Sequence, residues 1–407
     1  MNYFDLYSLL KDKIAGDDDF VPIDQDSNLF NLSFKSHNYQ ILMGENKYVC
    51  PMHPATTYDP YNTENESDIV NEILDIHDSK VKENQEFKYH IFKPSKVDKA
   101  DEIIIMFHGF NEKYWHKYLP WAKRLMDDTG KTVVLFPIAF HMNRAPHDWS
   151  NRRQMYDVCE NRKKRFPNIV NASLSNVAIS TRLHSKPERF FWSGLQTYYD
   201  ILQLTSQIKS GQHPHIAATA SIDIFSYSIG SLLAQILLMT NPDNIFQHTR
   251  LCMFCGGAVF NRMSPVSKFI LDSESNVMLY SFIIEHLESH LKNNERLRHY
   301  FCSEHPEGIN FRSMLNYKTM RQYREEVFNS LHNQIMAITL EKDTVVPPYE
   351  VANTLQGSAR NIPVRVEILD FPYDYKHEDP FPQIENNKNE VNQCFDKVFN
   401  IATDFLK

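Results

Sequence analysis

The sequence predicts an α/β protein with a mostly parallel sheet, covered on both faces and interrupted by two inserted segments. Three observations carry this. Short apolar runs alternate with helical stretches from Glu86 onward. Several of those runs are continuously apolar, as expected of strands buried on both faces. Two segments, at about 141–187 and 261–332, are far longer than the usual connections of about 2–6 residues between sheet elements. Residues 86–407 therefore read as the main domain, and 1–85 as an N-terminal extension packing on its core.

The elements follow in order. Tyr3, Phe4, Leu6, Leu9 and Leu10 make a short amphipathic helix, stopped by Gly16 and an acidic run. The polar stretch Ala55 to Ser67 reads as turns. Phe87 to Phe92 and Glu102 to Phe107 read as strands, and Lys113 to Asp128 as a helix closed by Gly130. Thr132 to Ile138 is a further buried strand. Beyond the first insertion come a helix at Glu188 to Ile208, a strand at Ile222 to Tyr227 and a helix at Ile229 to Met239. Strands fit Leu251 to Phe254, Ile335 to Leu340 and Val364 to Leu369; helices fit Pro348 to Leu355 and Glu390 to Leu406.

Composition mainly excludes. Of 407 residues, 42% are hydrophobic and 23% charged, which rules out disordered and fibrous classes. A net charge of −8 argues against a protein built around nucleic-acid binding. No apolar run approaches the roughly 18 residues of a membrane span, and the N-terminus lacks the pattern of a secretory signal. Six cysteines scattered along the chain do not form a disulfide framework. A cytoplasmic location is expected. Glycine is scarce, at 11 of 407, so each one present is a candidate for a backbone demand.

The chemistry-bearing residues lie at strand ends. Ser226-Tyr227-Ser228-Ile229-Gly230 joins a buried strand to an apolar helix, the context of a nucleophile elbow. The alternative is a serine that only caps the helix. The usual G-x-S-x-G begins with glycine, whereas this chain has Ser226, which keeps the position small. The strand ending in His108-Gly109-Phe110-Asn111 is similar to the HG-x loop of the α/β-hydrolase superfamily. A plain turn at Gly109, with His108 structural, is the other reading.

That resemblance, over about residues 86–407, implies an α/β-hydrolase fold with an acid and a histidine following the serine in order. It implies Ser228 as nucleophile, with the Phe110 and Ile229 amides as oxyanion hole. The strand Ile335 to Leu340 ends at Glu341-Lys342-Asp343-Thr344-Val345-Val346-Pro347, which resembles the D-x-x-V-P segment of the superfamily. Asp343 is the implied acid and Glu341 its competitor. The acid position used in some relatives falls here on Cys255-Gly256-Gly257-Ala258, with no carboxylate. After Asp343 the chain has one histidine, His377, where the superfamily places its own.

The implied activity is ester hydrolysis through an acyl-serine, with a peptidase, a thioesterase or a non-catalytic binding protein of the same fold as alternatives. The first insertion holds nine Lys or Arg against Asp148, Asp157 and Glu160, so Arg144, Arg152 and Arg153 are candidates for holding an anionic substrate. A solvated basic face is the competing explanation. Tyr114 and Trp115 are candidates for an acyl pocket or for the core. The second insertion, with its apolar run Val277 to Ile284, is a candidate lid. No cofactor or metal motif is read: His286 and His290 in HLESH lack the zinc-protease glutamate placement, Cys252 and Cys255 have no second pair, and Cys50 and His53 stand isolated.

Overall fold

A computed structural model of the protein describes residues 2–13, 18–44, 47–50, 52–58, 74, 76–301 and 304–407. Nine strands form one sheet: β1 (Phe20–Pro22), β2 (Ser27–Lys35), β3 (Glu86–Pro94), β4 (Ala100–Phe107), β5 (Thr132–Leu135), β6 (Ile216–Tyr227), β7 (Leu251–Phe254), β8 (Ile335–Leu340) and β9 (Arg365–Leu369). Their spatial order is β1-β2-β3-β5-β4-β6-β7-β8-β9. The pairs β1/β2, β2/β3 and β3/β5 are antiparallel, and every pair from β5/β4 to β8/β9 is parallel. This order, with helices on both faces and a strand–turn–helix elbow after β6, is the α/β-hydrolase fold.

Residue alternation explains the two covered faces. On β4, Ile103, Ile105 and Phe107 join one core, while Ile104 and Met106 join the other. The first core packs under the helices Arg189–Lys209, Ile229–Thr240 and Pro348–Leu355; the second packs under Tyr3–Lys13, Tyr118–Thr129 and Lys388–Leu406. The N-terminal helix is fastened there by Tyr3, whose ring stacks on Phe395 at 4.5 Å. Among the described residues no helix is long and apolar enough to cross a membrane.

Four sequence expectations shift. β2 pairs with β3 along its whole length, from Ser27 opposite Pro94 to Lys35 opposite Glu86. A boundary at Glu86 thus divides two paired strands, and the first 85 residues build part of the sheet itself. The helix expected from Lys113 begins at Tyr118, because Pro120 fits the first turn of a helix but not its interior. The strand expected to reach Ile138 stops at Leu135, two residues short of Pro137, which has no N–H for the ladder. β6 starts six residues earlier than expected, at Ile216, through a partly exposed stretch rich in Ala, Thr and Ser. Gly130 closes its helix as expected, with φ +75° and its N–H donating to Met126. The expected stop at Gly16 and the polar stretch beyond residue 58 lie outside the described residues.

Both insertions are helical. Residues 141–187 carry the helices Arg152–Arg165 and Val177–Ser185; residues 261–332 carry five more, from Ser273–Tyr280 to Arg321–Leu331. Arg162 of the first makes a two-pronged pair with buried Asp272 of the second, at 2.7 and 2.9 Å. Asn176 adds a bond to the Ser267 carbonyl at 2.9 Å. Both segments are tied to the loop after β4, through the Ser175 and Phe269 carbonyls.

Candidate active site

Ser228 stands between β6 and the helix Ile229–Thr240 with φ 54° and ψ −123°. A non-glycine residue there costs on the order of 1–3 kcal/mol, a strain kept when surrounding structure enforces it. Gly230 explains the enforcement. A Cβ on Gly230 would stand 2.7 Å from the His108 carbonyl and 2.8 Å from Phe107 Cβ, so helix and strand could not approach. Ser226, the departure from the usual motif, fits because its hydroxyl pairs with that of Ser231 at 3.1 Å. Ser228 makes no side-chain cap to its helix, which removes the capping explanation. Its hydroxyl faces His377 instead.

Ser228 Oγ lies 2.7 Å from His377 Nε2, and His377 Nδ1 lies 2.8 Å from Asp343 Oδ2. The other Asp343 oxygen accepts the Val345 and Val346 amides, both at 2.9 Å. Those two donors fix the carboxylate and leave Oδ2 for the imidazole. Glu341, the competing acid, is exposed. Tyr227, one residue before the serine, stacks on the His377 ring at 5.5 Å and donates its hydroxyl to the His377 carbonyl. Sequence reading passed over that tyrosine; its place beside Ser228 was the available signal.

The loop after β4 is held by buried hydrogen bonds. His108 is fully buried; its Nδ1 bonds the Gly109 carbonyl at 2.7 Å and its Nε2 accepts the Ile138 amide at 2.9 Å. Burial, with the nearby His141 adding to it, holds the His108 pKa well below the usual histidine value. It is a structural histidine. The Gly109 amide donates to the Tyr118 hydroxyl at 2.9 Å, and that hydroxyl in turn donates to Glu112 Oε1 at 3.0 Å. Among the described residues, the Phe110 and Ile229 amides have no protein acceptor. Asn111, at φ +57°, ties this loop to both insertions by bonds to the Ser175 carbonyl (2.9 Å) and the Phe269 carbonyl (2.7 Å).

Phe110 borders three openings. One pocket of about 70 Å³, lined almost wholly by apolar side chains, runs along Ile229, Leu232, Leu233 and Ile236 toward Phe311. A larger cleft of about 760 Å³ includes Tyr114, which is exposed, and sets Lys113, Lys117 and Lys376 among Glu112, Asp374, Glu378 and Asp379. That cleft carries no excess of positive charge. Ser228 and His377 are 6% and 4% exposed and border none of the three.

The remaining candidates separate. Trp115 is buried and packs edge-on against His108 at 5.3 Å, so it belongs to the core. Arg144 is fully buried; it donates to Asn84 (2.9 Å), the Pro137 carbonyl (3.0 Å) and Asp200 (2.7 Å), with its guanidinium 4.0 Å above the Phe87 ring. Its donors are spent inside the protein, and it is not available to a substrate. Arg152 and Arg153 are exposed at the start of their helix and border none of the three openings. Cys252 and Cys255 are fully buried thiols whose pKa values burial raises. His290 packs on the Phe282 ring at 4.3 Å.

No curated protein matches the chain. Among solved structures it is similar to carboxyl esterase 2 from the mycorrhizal fungus Tuber melanosporum, 12% identical over 79% of this chain and 81% of that one, with a TM-score of 0.41. It is similar to a Pyrobaculum calidifontis esterase, 13% identical over 78% and 81%, TM-score 0.36. TT1662 from Thermus thermophilus is 11% identical over 78% and 92%, TM-score 0.38. At this level the likenesses bear on neither substrate nor mechanism. A family described as a family of unknown function, DUF6051, matches residues 1–407, and the chain belongs to that family.

Proposed function

We propose that the protein is a serine hydrolase that cleaves an ester-type bond through an acyl-serine intermediate. One observation carries the reading: the hydrogen-bond chain from Ser228 Oγ through His377 to Asp343. His377 Nε2 takes the hydroxyl proton as Oγ bonds to the acyl carbon. The Phe110 and Ile229 amides receive the resulting oxyanion. When the intermediate collapses, the C–O bond to the leaving alkoxide breaks and His377 returns the proton to it. Water then gives its proton to His377 as its oxygen adds to the acyl carbon. The second collapse releases the acid and restores the Ser228 hydroxyl. Asp343, bonded to Nδ1, holds the imidazole in the required tautomer.

The apolar pocket beside Phe110 and Ile229 suits an apolar acyl group. The two insertions act as a cap, because the serine is covered and Asn111 and Glu378 are bonded to them. An anionic substrate gains no support from the placement of Arg144, Arg152 or Arg153. Ester hydrolysis by wild type and Leu233→Trp tests the pocket. With p-nitrophenyl esters, the variant should lose about 10-fold or more in kcat/KM on a longer acyl chain, and little on acetate. Equal losses on both esters would refute the pocket assignment.

A further inference from the structure

Far along the chain from the serine, four metal-binding side chains converge. Cys50 Sγ lies 3.6 Å from His53 Nδ1 and 3.5 Å from His305 Nε2, and His305 Nε2 lies 3.0 Å from His299 Nε2. The four ligand atoms all fall within 4.8 Å of one another. The three imidazoles meet nearly edge to face, with centroids 4.6–5.0 Å apart and interplanar angles of 74–86°. Cys50 and His305 are fully buried, although 255 positions separate them.

The spacing can be compared with an ion. Tetrahedral zinc, with Zn–S of about 2.3 Å and Zn–N of about 2.05 Å, requires S···N edges of about 3.6 Å and N···N edges of about 3.3 Å. The Cys50–His53 and Cys50–His305 separations match the S···N edge, the His299–His305 separation is slightly shorter than the N···N edge, and the remaining edges lie within 4.8 Å. The surroundings are equally specific. His305 Nδ1 is bonded to Glu307 Oε1 at 2.8 Å, and the Tyr199 hydroxyl donates to the same oxygen at 2.6 Å. A carboxylate on the far ring nitrogen fixes the tautomer and aims the Nε2 lone pair inward, as metal-ligating histidines commonly require.

We propose that Cys50, His53, His299 and His305 form a structural Zn²⁺ site, with Glu307 as the carboxylate that orients His305. Four protein ligands complete the tetrahedron and leave no open position, so the ion acts as a clamp. It fastens Cys50 and His53 to His299 and His305 of the second insertion. Glu307 also borders the apolar pocket, so the clamp braces one wall of that pocket.

The test uses the tag-free full chain. Metal analysis after dialysis should find about one zinc per chain, and Co²⁺ added after chelation should give the visible bands of a tetrahedral site with a thiolate-to-cobalt charge-transfer band. Cys50→Ser should abolish that charge-transfer band. His53→Ala, at a half-buried ligand, and Glu307→Gln should each weaken zinc binding by about 10-fold or more. Chelation should lower the Tm of wild type and leave that of His53→Ala less changed. Folded wild type that takes up neither metal, a cobalt spectrum without the thiolate band, or unaltered uptake by all three variants would overturn the proposal.

Discussion

Ser228 shows how neighbouring residues fix the conformation and contacts of a single side chain. Its backbone strain is held by Gly230 against the His108 carbonyl, and its hydroxyl does not cap its own helix but meets His377. Ser228→Ala should cut ester hydrolysis by about 10⁴-fold or more, and Asp343→Asn by about 10³–10⁴-fold, with folding intact by circular dichroism. Ser226→Ala should remain within a few-fold of wild type, since it loses only the bond to Ser231. Arg144 belongs to the same scale but to stability. Arg144→Met leaves the Asp200 carboxylate buried without its cation and should cost about 3–5 kcal/mol in urea unfolding. Arg152→Ala and Arg153→Ala should stay within about 0.5 kcal/mol of wild type. Loss of activity in the latter pair with unchanged stability would reinstate them at the substrate. The sequence could mark all three arginines as basic, but only packing separates the buried ion pair from the solvated helix end.

At the scale of elements, the elbow depends on how closely the helix Ile229–Thr240 approaches β4. Gly230→Ala forces its new Cβ onto the His108 carbonyl. Both Tm and kcat should therefore fall, because the displaced group belongs to the loop carrying the Phe110 amide; a wild-type kcat in a folded Gly230→Ala protein would contradict this coupling. Element positions were legible wherever apolar runs were continuous, as in Leu251–Phe254 and Ile335–Leu340, which appear with their expected bounds. β2 was missed for a physical reason. Its run SNLFNLSFK buries Ser27 and Asn31 alongside Leu29 and Phe34, so polar residues occupy core-facing positions and no continuous apolar run marks the strand. Asn31 earns its place by donating to the Asp18 carbonyl at 2.5 Å.

For the whole molecule, the proximity of Ser228, Asp343 and His377 was legible because each follows a strand of one sheet, in a fixed chain order. The Cys50–His305 cluster was not, since its ligands come as two unremarkable fragments joined only by tertiary structure. Buried neutral histidines also set the response to acid. Burial, offset in part by the Ala139 carbonyl, lowers the His141 pKa from the usual 6.5 to about 4. The unfolded chain binds that proton more readily. The contribution of His141 is therefore complete above about pH 6.5 and is lost as pH falls toward about 4, amounting to about 2 kcal/mol by pH 5. His141→Gln should flatten the fall in urea-unfolding free energy between pH 7 and 5 by about that amount, whereas parallel curves would contradict it. The proposed hydrolysis depends above all on an activated Ser228. Intact-mass analysis after incubation with a fluorophosphonate should show one adduct on the wild type, mapped to the peptide containing Ser228, absent from Ser228→Ala and retained by Ser226→Ala. A folded wild type that stays unlabelled, or a label that survives Ser228→Ala, would contradict the account.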